Sequence, residues 1–317
     1  MATVKRLTYY VPANKAYTID LARDLSVSCR KLHRQKMTYT VLGGIVKESS
    51  GSVFAFKTAP HTWTTNVAIR RAFNMWRKAN AEQYKKTPGL KAPKWSDFKL
   101  YLDTIHRQGS PLLAVLDVDE AGNIVPYQAG EWNYSTLIQP KLIDPDNDGG
   151  LEFDANADSW DMHIVGSHAG SGQVTTNANG SNFLTNYDTV GVIQSWYDSR
   201  SVPFSSVPGN APVGVDGSEP GINTDPLSNL FNVQDDDSEM IDVIEGENDQ
   251  APYDMNRVPG AQDGELQLVA ITDNTAGEPD IVNVPGFQAP CGLIRVKPDG
   301  NNGAVLMLDV LVEGERI

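Results

Sequence analysis

The chain has 317 residues, 40% hydrophobic and 21% charged, a balance that excludes fibrous and disordered classes and suits a soluble globular protein with a real core. No run approaches the roughly 18–20 apolar residues that span a bilayer, so no membrane partner is expected. The net charge of −14 hides a split: residues 1–110 hold 20 of the 26 Lys and Arg but 6 of the 40 Asp and Glu. Such asymmetry points to a polyanion partner on one side, or to a basic surface neutralised by the protein's own acidic one.

The opening MATVKRLTYYVPANKAYTIDLARD has no apolar core of a secretory leader, so Cys29 and Cys291 are expected free and buried, in a reducing compartment, with a Cys29–Cys291 disulfide as the alternative. β-branched and aromatic runs predict strands at 7–11, 37–46, 52–57, 112–118, 134–143, 162–166, 189–197, 239–244, 265–272, 291–296 and 304–312. Gly, Asn, Asp and Pro fill the turns between them, and DEAGN (119–123) reads as a hairpin tip.

Two segments depart from this pattern. Apolar residues at Ile69, Ala72, Phe73, Trp76 and Ala79 predict a helix from Thr64 to Tyr84, with Arg70, Arg71, Arg77, Lys78 and Lys85 on its other side. A shorter helix is expected from Ser96 to His106, with Phe98, Leu102 and Ile105 inward and Gly109 after its end. Residues 199–237 are rich in Ser, Pro, Gly, Asn and Asp and read as an extended surface loop. Helices confined to one insertion (64–108) in a chain of strands predict an all-β domain over 1–317, a β-sandwich or jelly roll.

The basic segment is the strongest functional signal, because phosphates attract Lys and Arg while bases stack on aromatic rings. Arg70, Arg71, Arg77, Lys78, Lys85, Lys86, Lys91, Lys94 and Lys99 alternate with Phe73, Trp76, Tyr84, Trp95 and Phe98. Lys5, Arg6, Arg23, Arg30, Lys31, Arg34 and Lys36 add to them from the N-terminal part. Phe73 and Trp76 fall on the apolar helix face and read as core. No sequence-reading motif accompanies the charge, so contact with phosphate, independent of sequence, is the expected mode.

A second candidate is DPDNDGGLEFD, 144–154. Asp144, Asp146 and Asp148 fill positions 1, 3 and 5 of an EF-hand-type loop, Gly149 position 6 and Glu152 position 9. Position 12 is Ala155, and no helical pattern flanks the loop. Two readings stand: a partial Ca²⁺ loop, or an acidic Gly-rich turn. His163 and His168, five apart, would face opposite ways on a continuous strand and read as ordinary turn histidines. GSHAG has His168 where a nucleophile elbow has Ser, and no phosphate-binding glycine motif is present, so neither a catalytic constellation nor a cofactor is expected.

The closing segment VPGFQAPCGLIRVKPDGNNGAVLMLDVLVEGERI resembles the last strands of coat proteins of small circular single-stranded DNA viruses, and the helical insertion between early strands agrees in outline. The resemblance implies a jelly-roll capsid protein, a virion component made inside the host cell, that self-assembles as a homo-oligomer into a closed icosahedral shell around single-stranded DNA. Many such coats begin with a dense arginine-rich arm; here Lys5 and Arg6 are the cationic residues of the first dozen, so the folded basic face from Arg23 to Lys99 would have to meet the genome. Two other readings are a carbohydrate- or ligand-binding β-sandwich with a calcium-stabilised loop, using Trp132, Trp160 or Trp196 as sugar platforms, and a hydrolase on a β scaffold.

Overall fold

The structure is a computed structural model. It describes residues 3–13, 15–47, 52–86, 93–139, 142–143, 152–153, 158–169, 174–176, 182–184, 189–199, 258–273, 281–299 and 303–316. Backbone packing divides the chain into one unit of residues 1–199 and 259–317 and a second of 200–258; every described residue except Val258 belongs to the first. The strand expected at 239–244, and the loop expected at 199–237 beyond Ser199, lie outside the described residues.

Along the chain, β1 (Val4–Val11) and β2 (Tyr17–Asp20) lead into helix α1 (Leu21–Cys29), followed by β3 (Met37–Lys47) and β4 (Val53–Thr58). An insertion then carries α2 (Trp63–Lys86), α3 (Thr104–Gln108), β5 (Val115–Val118), β6 (Ile124–Pro126) and β7 (Thr136–Gln139). It continues through β8 (Leu142–Ile143), β9 (Glu152–Phe153), β10 (Asp158–His163), β11 (Val174–Thr176), β12 (Asn182–Leu184), β13 (Thr189–Gly191) and α4 (Val192–Asp198). The chain closes with β14 (Gln267–Asp273), β15 (Ile281–Val284), β16 (Phe287–Pro290), β17 (Leu293–Asp299), β18 (Ala304–Leu311) and β19 (Glu315–Arg316).

The fold is all-β in its framework: two antiparallel sheets build the core. One has the order β1-β18-β3-β15, with β16 and β19 also paired to β3; the other has the order β14-β4-β17-β2. Period-two patterning makes each strand two-faced. In β18, Ala304, Leu306, Leu308 and Val310 are buried while the residues between them are half-exposed. They meet Leu7, Tyr9 and Val11 of β1 in a register that places Leu7 opposite Leu308 and Tyr9 opposite Leu306. Phe54 and Phe56 of β4 supply the other layer, and the Phe56 ring lies 6.2 Å from that of Phe287 on β16, joining the sheets. Gly44 permits the close approach of β3 to β18, since a Cβ there would lie 2.4 Å from the Met307 carbonyl oxygen.

The long helix appears where the apolar spacing predicts it, with Ala68 and Ile69 buried, and the 119–123 hairpin closes through Asp119, whose carboxylate accepts from the Asn123 backbone and side-chain amides. Cys29 and Cys291 are both free thiols.

Three expectations are corrected. Helices are not confined to 64–108: α1 precedes that segment, capped by the Asp20 carboxylate, with Arg23 and Asp24 buried where their charge would suggest solvent. Residues 96–103 are not helical; α3 starts at Thr104, capped by the Asp103 carboxylate, and Ile105 is 57% exposed rather than inward. The backbone amides of Lys99, Leu100 and Tyr101 donate to Ser135 Oγ, Gln35 Oε1 and the Met162 carbonyl, so tertiary partners hold this segment extended. The strand expected at 189–197 ends at Gly191, and Val192–Asp198 is α4. A short apolar run such as VGVIQSWY fits either period. Packing decides for helix: Val192 and Ile193 are buried, and Trp196 meets Trp63 of α2 edge-on at 5.7 Å.

Truncation at the inter-sheet contact is the direct test of this core. Phe56→Ala is expected to cost about 3–5 kcal/mol in denaturant unfolding. Lys57→Ala, on the opposite face of the same strand, should stay within about 0.5 kcal/mol.

Candidate nucleic-acid interface

The basic surface rests on a buried polar network that ties α1 and the insertion to the sandwich. Asp20, at the end of β2, caps α1 through the Arg23 amide and accepts from Gln35 Nε2 (3.3 Å), Trp132 Nε1 (3.0 Å) and the Tyr134 hydroxyl (3.3 Å). Arg23 donates to Asp24 Oδ1 (2.9 Å) and to the Leu112 carbonyl, while Tyr9 donates to Asp24 Oδ2 (2.9 Å). Arg295 of β17 bonds Asp103 and Thr18, and Asp103 also caps α3. The Leu102 amide donates to His106 Nδ1 (3.0 Å), which leaves the ring proton on Nε2, facing the Tyr134 oxygen at 3.1 Å. Burial sets the titrations: it pushes the Asp24 carboxyl up to about 6 despite Arg23 beside it. It also lowers His106 to about 3, aided by Arg295 and Arg23.

Arg23 therefore belongs to the scaffold rather than to a phosphate-binding set: it is 5% exposed and its charge is matched by Asp24 and Asp20. Arg6 is exposed but bonds Asp309 across the β1–β18 pair at 2.6–2.7 Å; Lys5 beside it is half-exposed. Lys91 lies outside the described residues.

The remaining cations form two groups. On α2, Arg70, Arg71, Arg77, Lys78, Lys85 and Lys86 are exposed. At 100° per residue, all but Lys86 fall within about 120° of arc, opposite Ile69, Ala72 and Trp76, and Arg70 to Lys85 spans about 22 Å of axis. Arg71 also bonds Ser199 just past α4. The inward side of the helix is aromatic: Phe73 and Trp76 each lie 5.7 Å from the buried Phe98, but both are half-buried and stand outside the main core, so the expectation that they are core is met only in part.

The second group surrounds Trp95. A cleft of about 670 Å³ opens between the end of α1 and the segment 125–132, with Arg30, Lys31, Trp95, Lys99, Glu131 and Trp132 in its lining. A second cleft of about 350 Å³ shares Trp95, Lys99 and Glu131 and reaches Trp76 and Lys94. Lys94 Nζ lies 5.0 Å from the Trp95 ring centre, Lys99 Nζ 4.7 Å from that of Trp132, and Lys36 Nζ 4.0 Å from that of Phe73. Arg34, Lys99 and Lys36 all act on the buried Asp97 carboxylate, which places them together beside α2. Thus residues far apart in sequence, 30–36, 73–77 and 94–99, share one basic and aromatic region. Trp95, 61% exposed, is its key aromatic; the sequence supplied it, but not its junction with Arg30 and Lys31.

The other candidates resolve differently. Asp144, Asp146 and Asp148 lie outside the described residues, and Glu152 begins β9, paired to Ile143. Among the described residues no cluster of His, Cys, Asp or Glu has metal-ligand spacing. His163 is fully buried between the Thr189 hydroxyl and the Ser167 carbonyl, and His168 bonds Asp198 and the Gly191 amide. The Ser167 hydroxyl donates to Asp263, not to a histidine, so no nucleophile–base pair forms there. Trp132 donates to Asp20, Trp196 packs on Trp63, and Trp160 is half-buried in a groove beside Ala72 and Met75 of α2. No helix among the described residues is long and apolar enough to cross a membrane. No family model matches the chain, no characterised protein matches it, and neither does any solved structure.

His106 binds its proton far more weakly folded than at the ordinary value of 6.5, so the unfolded chain takes up more protons between about pH 6.5 and 3 and stability falls on acidification. Asp24, raised to about 6, acts in the opposite sense between about pH 6 and 4. Comparison with a variant isolates the histidine: from pH 7 to 5 the wild type should lose about 2 kcal/mol more unfolding free energy than His106→Gln, read from urea unfolding at both pH values.

Proposed function

We propose that the protein is a coat subunit with a jelly-roll sandwich that assembles with copies of itself into a closed icosahedral shell around single-stranded DNA, without catalysis. One observation carries the fold: counting β15 and β16 as one strand, the eight core strands in chain order are β1, β2, β3, β4, β14, β15–β16, β17 and β18. Their pairings join the first to the eighth, the second to the seventh, the third to the sixth and the fourth to the fifth. This nesting of pairs supports the reading of a double-sheet jelly roll, a long hairpin rolled up on itself.

Jelly rolls also serve lectins and cupins, so function has to come from the surface. Three features favour the coat reading. The segment that resembles viral coats supplies the sixth, seventh and eighth strands of the roll. The insertion between the fourth and fifth strands presents a row of exposed cations on α2 that suits a phosphate backbone. The Trp95 region adds rings on which bases of a single strand can stack. Closed shells are built from repeated symmetric contacts, with which a basic inner wall and acidic outer loops are compatible. The choice of DNA follows from the resemblance.

Replacing Arg70, Arg71, Arg77 and Lys78 together by Gln should leave far-UV circular dichroism unchanged, since all four are exposed, while lowering the nucleic acid content of purified particles, read as the 260/280 nm absorbance ratio. The slope of log K against log salt for single strands should fall by about 3. Particles of the quadruple variant with normal nucleic acid content would remove α2 as the genome contact.

A further inference from the structure

We propose that the cleft beside Trp95 is a nucleotide-binding site: one base of a single strand stacks on Trp95, its phosphate pairs with Arg30 and Lys31, and the strand continues over Trp95 into the neighbouring cleft. The inference deepens the coat reading, on which it rests for its ligand, by naming a discrete site apart from the α2 row.

The cations around the cleft differ in how they are matched. Arg30 caps α1 in a left-handed conformation (φ 54°), uncommon for a residue with a side chain, and Lys31 follows it. Both side chains are exposed, both line the cleft, and neither forms an ion pair among the described residues. The scaffold arginines of the same region differ sharply: Arg23 and Arg295 are each buried on a carboxylate. Matched charges hold the walls, and unmatched charges face the opening.

Trp95 lies exposed in the lining of both clefts. A ring of this size at 61% exposure forfeits the burial that most tryptophans gain, and its neighbour Lys94 sits 5.0 Å from its centre. A stacking face next to cationic groups is the recurring element of single-strand binding. The cleft, about 670 Å³, falls within the range of small-ligand sites. Trp95, Lys99 and Glu131 also line the second cleft of about 350 Å³, so adjacent nucleotides of one strand can occupy the two with Trp95 between them. Glu131, held by the Asn133 amide at 3.0 Å, repels phosphate from its own part of the lining and so favours placing phosphate at the α1 wall. A duplex, whose bases are already stacked inside, cannot offer a ring to Trp95.

The test uses the purified full chain and a fluorescently labelled oligodeoxythymidylate of about ten nucleotides, with a duplex of the same length as control. Trp95→Leu should weaken single-strand binding about 5- to 150-fold, Trp95→Tyr should restore most of it, and duplex binding should change less than twofold. Arg30→Ala with Lys31→Ala should lower the salt slope for single strands by about 1.4. Trp95 is exposed, so a folded variant is expected, checked by circular dichroism. If folded Trp95→Leu and the Arg30/Lys31 variant both bind single strands within twofold of wild type while the α2 quadruple variant does not, the cleft is refuted and the genome-contact reading stands. If wild type binds no single strand at all, both fall.

Discussion

Two buried carboxylate–guanidinium pairs, Arg23 with Asp24 and Arg295 with Asp103, decide where the insertion sits. Arg295 reaches from β17 to the cap of α3, and Arg23 reaches from α1 to the Leu112 carbonyl ahead of β5. Asp20 draws in Trp132 and Tyr134 from the far side of the hairpin. Removing one partner of such a pair leaves a charge stranded in low dielectric, at a cost of about 3–5 kcal/mol. Directional bonds of this kind also fix geometry in a way that apolar packing does not. The positions of Lys99, the 125–132 wall and the mouth of the cleft all follow from them.

The framework was legible in the sequence where a single face is buried. The alternation in AVLMLDVL and SVFAFK marked β18 and β4, and the helical spacing from Ile69 to Ala79 marked α2. Legibility failed where long-range partners decide. Residues 97–103 carry a helical apolar spacing, yet Gln35, Ser135 and Met162 hold them extended. Helix α1 went unseen because LARDLSVSC buries Arg23 and Asp24, which pattern reading assigns to solvent. The strands β2, β15 and β16, four residues each, are too short to show a period.

The basic composition of residues 1–110 was plain, but composition counts Arg23 with Arg30, and only the fold separates a charge neutralised inside from one presented to a ligand. The acidic remainder of the chain contributes directly to the basic part: Asp309 binds Arg6, and Asp161 binds Arg107. Among the described residues, the exposed cations of α2 and Arg30 and Lys31 beside Trp95 form no ion pair and are set on the insertion or at the end of α1. The two sheets are thus the support, and the insertion between their fourth and fifth strands carries the exposed cations of α2 and the exposed Trp95.

Shell formation is the claim on which the biological reading turns, and it is a question of mass. Size-exclusion chromatography with light scattering, followed by negative-stain microscopy of the purified full chain, measures it directly. The account predicts closed particles of uniform diameter in the megadalton range, carrying nucleic acid. A monodisperse monomer that persists at every concentration and salt condition tried would contradict it.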